Sequence, residues 1–210
     1  KKTKKGKKER VPKVIPDGFE PVAKVRSSFR YLVDTTVNWG ILIITGVIMS
    51  ELSMLAGRVG SALKQRSHSV SVAESSAGGY ISASLLSLPG ASAYFLGGSV
   101  IYTRDAQKGL LGVSDEKMDG IRASTEIYAL MNARVVRERL RATWGLSETG
   151  ATGPEKNRYG DGAGHAWIAV AGPVERTVVV ETGSIDREAN MWAFARAALN
   201  LLEECVISSG

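Results

Sequence analysis

The sequence predicts an α/β domain, a three-layer α/β/α sandwich built on a mixed, mostly parallel sheet. Segments with strand-like alternation and segments with helical spacing follow one another from residue 50 onward, the order that builds crossover-connected parallel strands. Two strands, 165–171 and 177–182, are joined through Gly172-Pro173, too closely for a crossover, and so pair antiparallel. With 210 residues, 44% of them hydrophobic, the chain can bury one good core, and one domain with an appended arm is the expected organisation.

The arm is residues 1–49. It begins at Lys1 without a methionine, which leaves open whether a leader has been removed. Residues 1–10 hold seven of the chain's 27 cations and one of its 21 anions, so the other 200 residues carry 20 of each sign. The high pI therefore belongs to the tail, which is either a solvated end or a contact for nucleic acid or anionic lipid. Pro12, Pro16 and Pro21 follow among charges, and then an apolar run, 37–49, reads as a docking segment. Extended over 35–50 it approaches the lower limit of a membrane span, about 17 to 20 residues.

The domain, 50–210, opens with an amphipathic helix that Ser50, with Glu51 just after it, begins, and Leu52, Leu55, Val59 and Leu63 share one face of it. Val70 and Val72 alternate with small polar residues in a strand, 69–73, that gives way at Glu74-Ser75-Ser76 to a helix over 80–88. Ala93 to Thr103 reads as a strand interrupted by Gly97-Gly98, the mark of a bulge or a close backbone approach. Asp105 to Leu111 is a short helix that Gly112 stops. Ser124 caps a longer helix reaching to about Trp144, with Ile127, Leu130, Met131, Val135 and Leu140 as its buried stripe. Residues 148–154 form a small-residue strand end, 155–164 a polar loop, and the paired strands follow. A last helix, 186–206, closes the domain with Trp192, Phe194, Ala195, Ala198, Leu199 and Leu202.

A single cysteine, Cys205, excludes a disulfide framework and fits an intracellular, reducing compartment, cytoplasm or organelle. It lies in a helical pattern and reads as a packing residue. His68 and His165 lie far apart and suggest no metal site, so no metal or organic cofactor is expected. The chemistry concentrates in the strand-to-helix turn at Ser75-Ser76. Such a turn aims a hydroxyl off the sheet edge beside the unpaired amides that open a helix, so a nucleophile and an anion cradle can share one place. The same serines can equally be a cap.

The motifs extend this. Ala73-Glu74-Ser75-Ser76-Ala77-Gly78-Gly79 matches a turn Ala-Glu-Ser-Cys-Thr-Gly-Gly, Pro89-Gly90 leads to Tyr94-Phe95 and Val100-Ile101-Tyr102-Thr103, and Gly150-Ala151-Thr152-Gly153-Pro154 matches Gly-Ile-Ala-Gly-Pro. On these motifs, residues from about Ser50 to Cys205 resemble the C-terminal domain of the CinA competence/damage-inducible proteins, the nicotinamide mononucleotide deamidase family. The resemblance implies that fold, an amidohydrolase acting on a pyridine nucleotide, no cofactor, a homo-oligomer, and a serine, tyrosine and lysine as catalytic group. By motif the serine is Ser75 and the tyrosine Tyr102. The family lysine falls without a gap on Gln107, with Lys108 one residue later, about 100° around a helix. Lys108 is the implied third member if its stem reaches back. Ser76, Ala77, Gly78, Gly79, Gly150, Thr152, Gly153, Arg104, Gln107 and His165 are the implied substrate-binding positions. Lys156, Arg158 and Arg187 are further candidates for a phosphate. Ser76 and Ala77 stand where the family has Cys and Thr, and Met191 where an arginine is usual. A second function stays open: an altered domain of this family serving as a structural subunit of a larger organellar or ribonucleoprotein assembly.

Overall fold

The computed structural model describes residues 51–209, so the expectations for the arm, the docking segment and a span at 35–50 lie outside the described residues. The described elements alternate as expected: α1 (Glu51–Gln65), β1 (Val70–Glu74), α2 (Tyr80–Leu86), β2 (Phe95–Val100), α3 (Arg104–Leu111), α4 (Glu126–Leu140), β3 (Trp144–Ala151), β4 (His165–Ala171), β5 (Arg176–Glu181) and α5 (Arg187–Ser208). They form one five-stranded sheet in the order β2-β1-β3-β4-β5. β1 pairs parallel with β2 and with β3, and β4 pairs antiparallel with β3 and with β5. Only β4 runs against the other four, so the sheet is mixed and mostly parallel.

Helices cover both faces. α1, α2 and α5 pack on one another, and α5 reaches the sheet through Phe194, Ala198 and Leu202, which join Val70, Val72, Leu146, Ile168 and Val170 in the main core. α4 covers the other face, where Ala129 and Ala133 meet Ala169 and Ala171. Alternation along the strands assigns the sides: Trp144 and Leu146 of β3 point into the main core, whereas Gly145 lies under α4. The approach there is close enough that a β-carbon on Gly145 would fall 1.9 Å from the Ala133 carbonyl oxygen.

Two local expectations change. The helix expected from Ser124 to Trp144 starts at Glu126, capped by Thr125, and ends at Leu140, because Arg141 turns left-handed at φ 53°. Trp144 therefore opens β3. The buried stripe of α4 is Tyr128, Ala129, Asn132, Ala133 and Val136, and Ile127 is 65% exposed. Alanines face the sheet because a helix lying this close leaves no room for larger side chains. The glycine pair in β2 does mark a bulge: the register slips between Val70, opposite Phe95, and Ser71, opposite Gly97.

Candidate active site

The site lies at the carboxyl ends of the parallel strands. The chain leaves β1 toward β2 on one side and later returns to place β3 on the other, which opens a crevice between β1 and β3 of the kind that binds ligands in α/β sheets. The serine turn, 75–79, lies in that crevice. Pairing of β1 with β3 reaches Ala73 opposite Ser147, and the next residues, Glu74 and Glu148, bring two wholly buried carboxylates beside the turn.

These carboxylates organise it. Glu74 accepts from the amides of Gly79 at 2.9 Å, Ile81 at 3.1 Å and Ser82 at 3.0 Å, and from the Ser82 hydroxyl. Glu148 Oε2 accepts from the amides of Ser75 at 3.0 Å and Ala77 at 2.8 Å, while its Oε1 accepts from Ser76 Oγ. The amides expected to cradle a substrate anion thus bind the protein's own carboxylates. Burial pushes the Glu148 carboxyl up to about 7; the hydrogen bonds from Ser76, Ala77 and Ser75 oppose that shift, and the charge of Glu74 adds to it.

Two adjoining cavities open over the turn. One, of about 320 Å³, is lined by Ser75, Tyr102, Thr103, Arg104, Ser124, Thr149, Gly150, Asn157, Arg158 and Tyr159. The other, of about 250 Å³, is lined by Ser76, Thr152, Gly153, Lys156 and Arg187, and shares Tyr102, Gly150 and Asn157 with the first. Tyr102 is 61% exposed, and its hydroxyl accepts from Arg187 Nη2 at 3.4 Å. The loop over the cavities is tied down: Asn157 Nδ2 donates to Ser124 Oγ at 3.2 Å and to Asp161, and Asp161 takes a two-pronged ion pair from Arg122.

The expected site residues divide. Ser75, Tyr102, Arg104 and Gly150 meet at the first cavity, and Ser76, Thr152 and Gly153 at the second. Ala77 and Gly79 take part through their amides, and Gly78 bends the turn at φ 65°. Gln107 lines neither cavity: it is fully buried, donating to Asn132 Oδ1 at 2.6 Å and accepting from Arg104 Nη1 at 2.9 Å. Lys108 lines neither as well, its ammonium held by Asp115 at 2.5 Å. His165 contacts Glu181 through Nδ1 and the Ser124 carbonyl oxygen through Nε2 at 3.4 Å. Cys205 is buried in α5, where desolvation pushes its thiol up to about 11.

Sequence reasoning missed Glu148, Thr149, Ser124 and Asn157. One signal for Glu148 was available: it is a lone charge in a strand of apolar and small residues, Leu146-Ser147-Glu148-Thr149-Gly150, where a carboxylate needs internal donors. Among the described residues no group of three or more His, Cys, Asp and Glu side chains is placed to hold a metal ion. No helix among them is long and apolar enough to cross a membrane.

Chemically, the arrangement offers two hydroxyls, a phenol and a buried carboxyl beneath a rim of cations, which suits a polar, anionic substrate carrying an electrophilic carbon. Comparison with known proteins agrees with the fold. A family model, the CinA C-terminal domain, matches residues 52–206. A CinA-like protein of Nostoc sp. is 39% identical over 119 residues, 57% of this chain and 28% of that protein. One of Gloeobacter violaceus is 35% identical over 158 residues, 73% of this chain and 37% of that protein. The chain thus spans about a third of the length of these relatives. Among solved structures, the competence/damage inducible protein CihA from Agrobacterium tumefaciens is 28% identical at a TM-score of 0.69, covering 77% of this chain and 98% of its own. A CinA superfamily protein from Klebsiella pneumoniae, 25% identical, has a TM-score of 0.71 over 76% of this chain and 99% of its own. The chain belongs, through residues 52–206, to the CinA C-terminal domain family.

Proposed function

We propose that this domain is an amidohydrolase acting on a pyridine nucleotide, converting nicotinamide mononucleotide and water to nicotinate mononucleotide and ammonia. The observation that carries this reading is the convergence of Ser75 and Ser76 with Arg104, Arg158, Lys156 and Arg187 on adjoining cavities. Such a substrate has two features to be met, a phosphate dianion and a carboxamide. Guanidinium groups match the first by forked, charge-assisted hydrogen bonds, and a serine hydroxyl can attack the second. Tyr102, on the wall common to both cavities, can orient the amide or relay a proton. Family membership supports the substrate class. The test is ammonia release from nicotinamide mononucleotide by the full chain beside a Ser75→Ala/Ser76→Ala double variant. Turnover in the parent and loss in the variant are expected; no release from the parent overturns the reading.

A second reading is favoured by one observation. Gln107, at the family's lysine position, is bonded to Asn132 and Arg104, and Lys108 is held by Asp115, so neither offers a free amine to the turn. A domain without that base would bind the nucleotide without turning it over and serve as a structural subunit of a larger assembly. Calorimetric binding of nicotinamide mononucleotide without ammonia release would select it.

A further inference from the structure

The hydroxyl of Ser76 and the carboxylate of Glu148 are bonded to each other at the floor of the site. We propose that Ser76 is the attacking hydroxyl and that Glu148 is the base that takes its proton, replacing the missing lysine. This rests on the amide-hydrolysing reading above.

The geometry separates the two serines. Among the described residues the Ser75 hydroxyl has no hydrogen-bond partner, whereas Ser76 Oγ donates to Glu148 Oε1. The other carboxylate oxygen is fixed by the amides of Ser75 and Ala77, which sets the plane of the group and leaves Oε1 to Ser76. Ser76 is only 4% exposed, yet it lines the cavity that also holds Lys156 and Arg187. A buried pair opening on a cationic cavity has the layout of a nucleophile, its base and a source of anion stabilisation. Burial supports the role, since a carboxyl raised to about 7 is a far better base near neutrality than an exposed one. The charged group that acts on it from the neighbouring strand is Glu74, which strengthens it further as a base.

The step balances. The Ser76 proton passes to Glu148 Oε1 as Oγ bonds to the amide carbon and the carbonyl electron pair moves onto oxygen. The C–N bond then breaks, Glu148 returns the proton to nitrogen, and ammonia leaves an ester on Ser76. Water attacks that ester and gives its proton to Glu148, and Oγ recovers a proton as the acid departs.

The test uses a fluorophosphonate, which marks an activated serine whatever the natural substrate. The full chain is reacted from pH 5 to pH 9 and the adduct mapped by peptide mass. Expected is one adduct, on Ser76, forming at a rate that rises with pH through about 7 and then levels. Glu148→Gln should slow it by about 100-fold or more, the usual contribution of a general base. An adduct on Ser75, none in the parent, or an unchanged rate in Glu148→Gln overturns the proposal. If that variant does not fold, a labelling rate in the parent that ignores pH does the same. Ammonia release, measured alongside, separates the two readings. A labelled Ser76 without ammonia keeps the pair and removes the substrate. Ammonia release that survives Ser76→Ala removes the pair and keeps the substrate.

Discussion

A carboxyl group excluded from water prefers to be neutral, and Glu148 is wholly buried. Its value in the fold, about 7, lies above the 4.5 of an exposed glutamic acid. The fold therefore holds the proton more tightly than the unfolded chain does. The stabilisation this provides is complete below about 4.5 and is lost as pH rises through about 7, a difference of about 3 kcal/mol. Asp161, held low mainly by its hydrogen bond from Arg122, has the opposite dependence, but it acts below the ordinary carboxylate range. Glu148→Gln keeps the shape of the group and its place against the two amides, and removes the proton equilibrium. Urea midpoints at pH 5 and pH 8 should fall with pH in the parent and stay nearly level in the variant; parallel slopes would refute the assignment. Little of this was legible in the sequence. The serine turn was, because Ala73 to Gly79 is a local string. The partner of Ser76 lies 72 residues away on β3, and only the pairing of β1 with β3 brings it there.

At the scale of elements, alternation and helical spacing located the helices and β1, β2, β4 and β5, caught only the end of β3, and misjudged α4. Large apolar residues on that helix imply a stripe through Ile127 and Leu140, but both are exposed, and Ala129 and Ala133 face the sheet instead. The helix also ends without a glycine, at the left-handed Arg141, so no residue announced the stop before Trp144. Close packing of α4 depends on small residues from both sides, and Gly145 is the tightest of them. A β-carbon there would lie 1.9 Å from the Ala133 carbonyl oxygen and 2.7 Å from Arg137 Cβ. Backbone cannot yield as a flexible side chain does, so Gly145→Ala must push the helix off β3. Overpacking of this kind costs about 1–3 kcal/mol. For a domain of this size that lowers Tm by about 2–4 °C per kcal/mol. An unchanged Tm by calorimetry would mean that α4 lies farther from the sheet than described. Because α4 also leads into β3 and so toward Glu148, labelling of Ser76 should slow in the same variant.

For the whole molecule, the crevice between β1 and β3 is a property of strand order. It places the serine turn, the Gly150–Pro154 element and the loop over 155–164 around one opening, although they come from distant parts of the chain. Among the described residues, all those that line that opening lie within residues 52–206, and the Klebsiella pneumoniae protein is covered over 99% of its own chain by the same fold. The domain is therefore expected to fold and act without residues 1–49. Charge gives those residues a separate consequence. Residues 11–210 carry equal numbers of the two signs, so the net charge of +6 resides in residues 1–10. A polyanion should bind through that cluster by releasing counterions, with an affinity that falls steeply as salt rises. Removing residues 1–49 should abolish salt-sensitive binding to single-stranded nucleic acid while leaving Tm and ammonia release as in the parent. A shortened chain that keeps the same salt slope would instead place the phosphate contacts on the domain, where Arg104, Arg158, Lys156 and Arg187 line the cavities. A shortened chain that loses Tm would make the arm part of the fold and move the domain boundary to its N-terminal side.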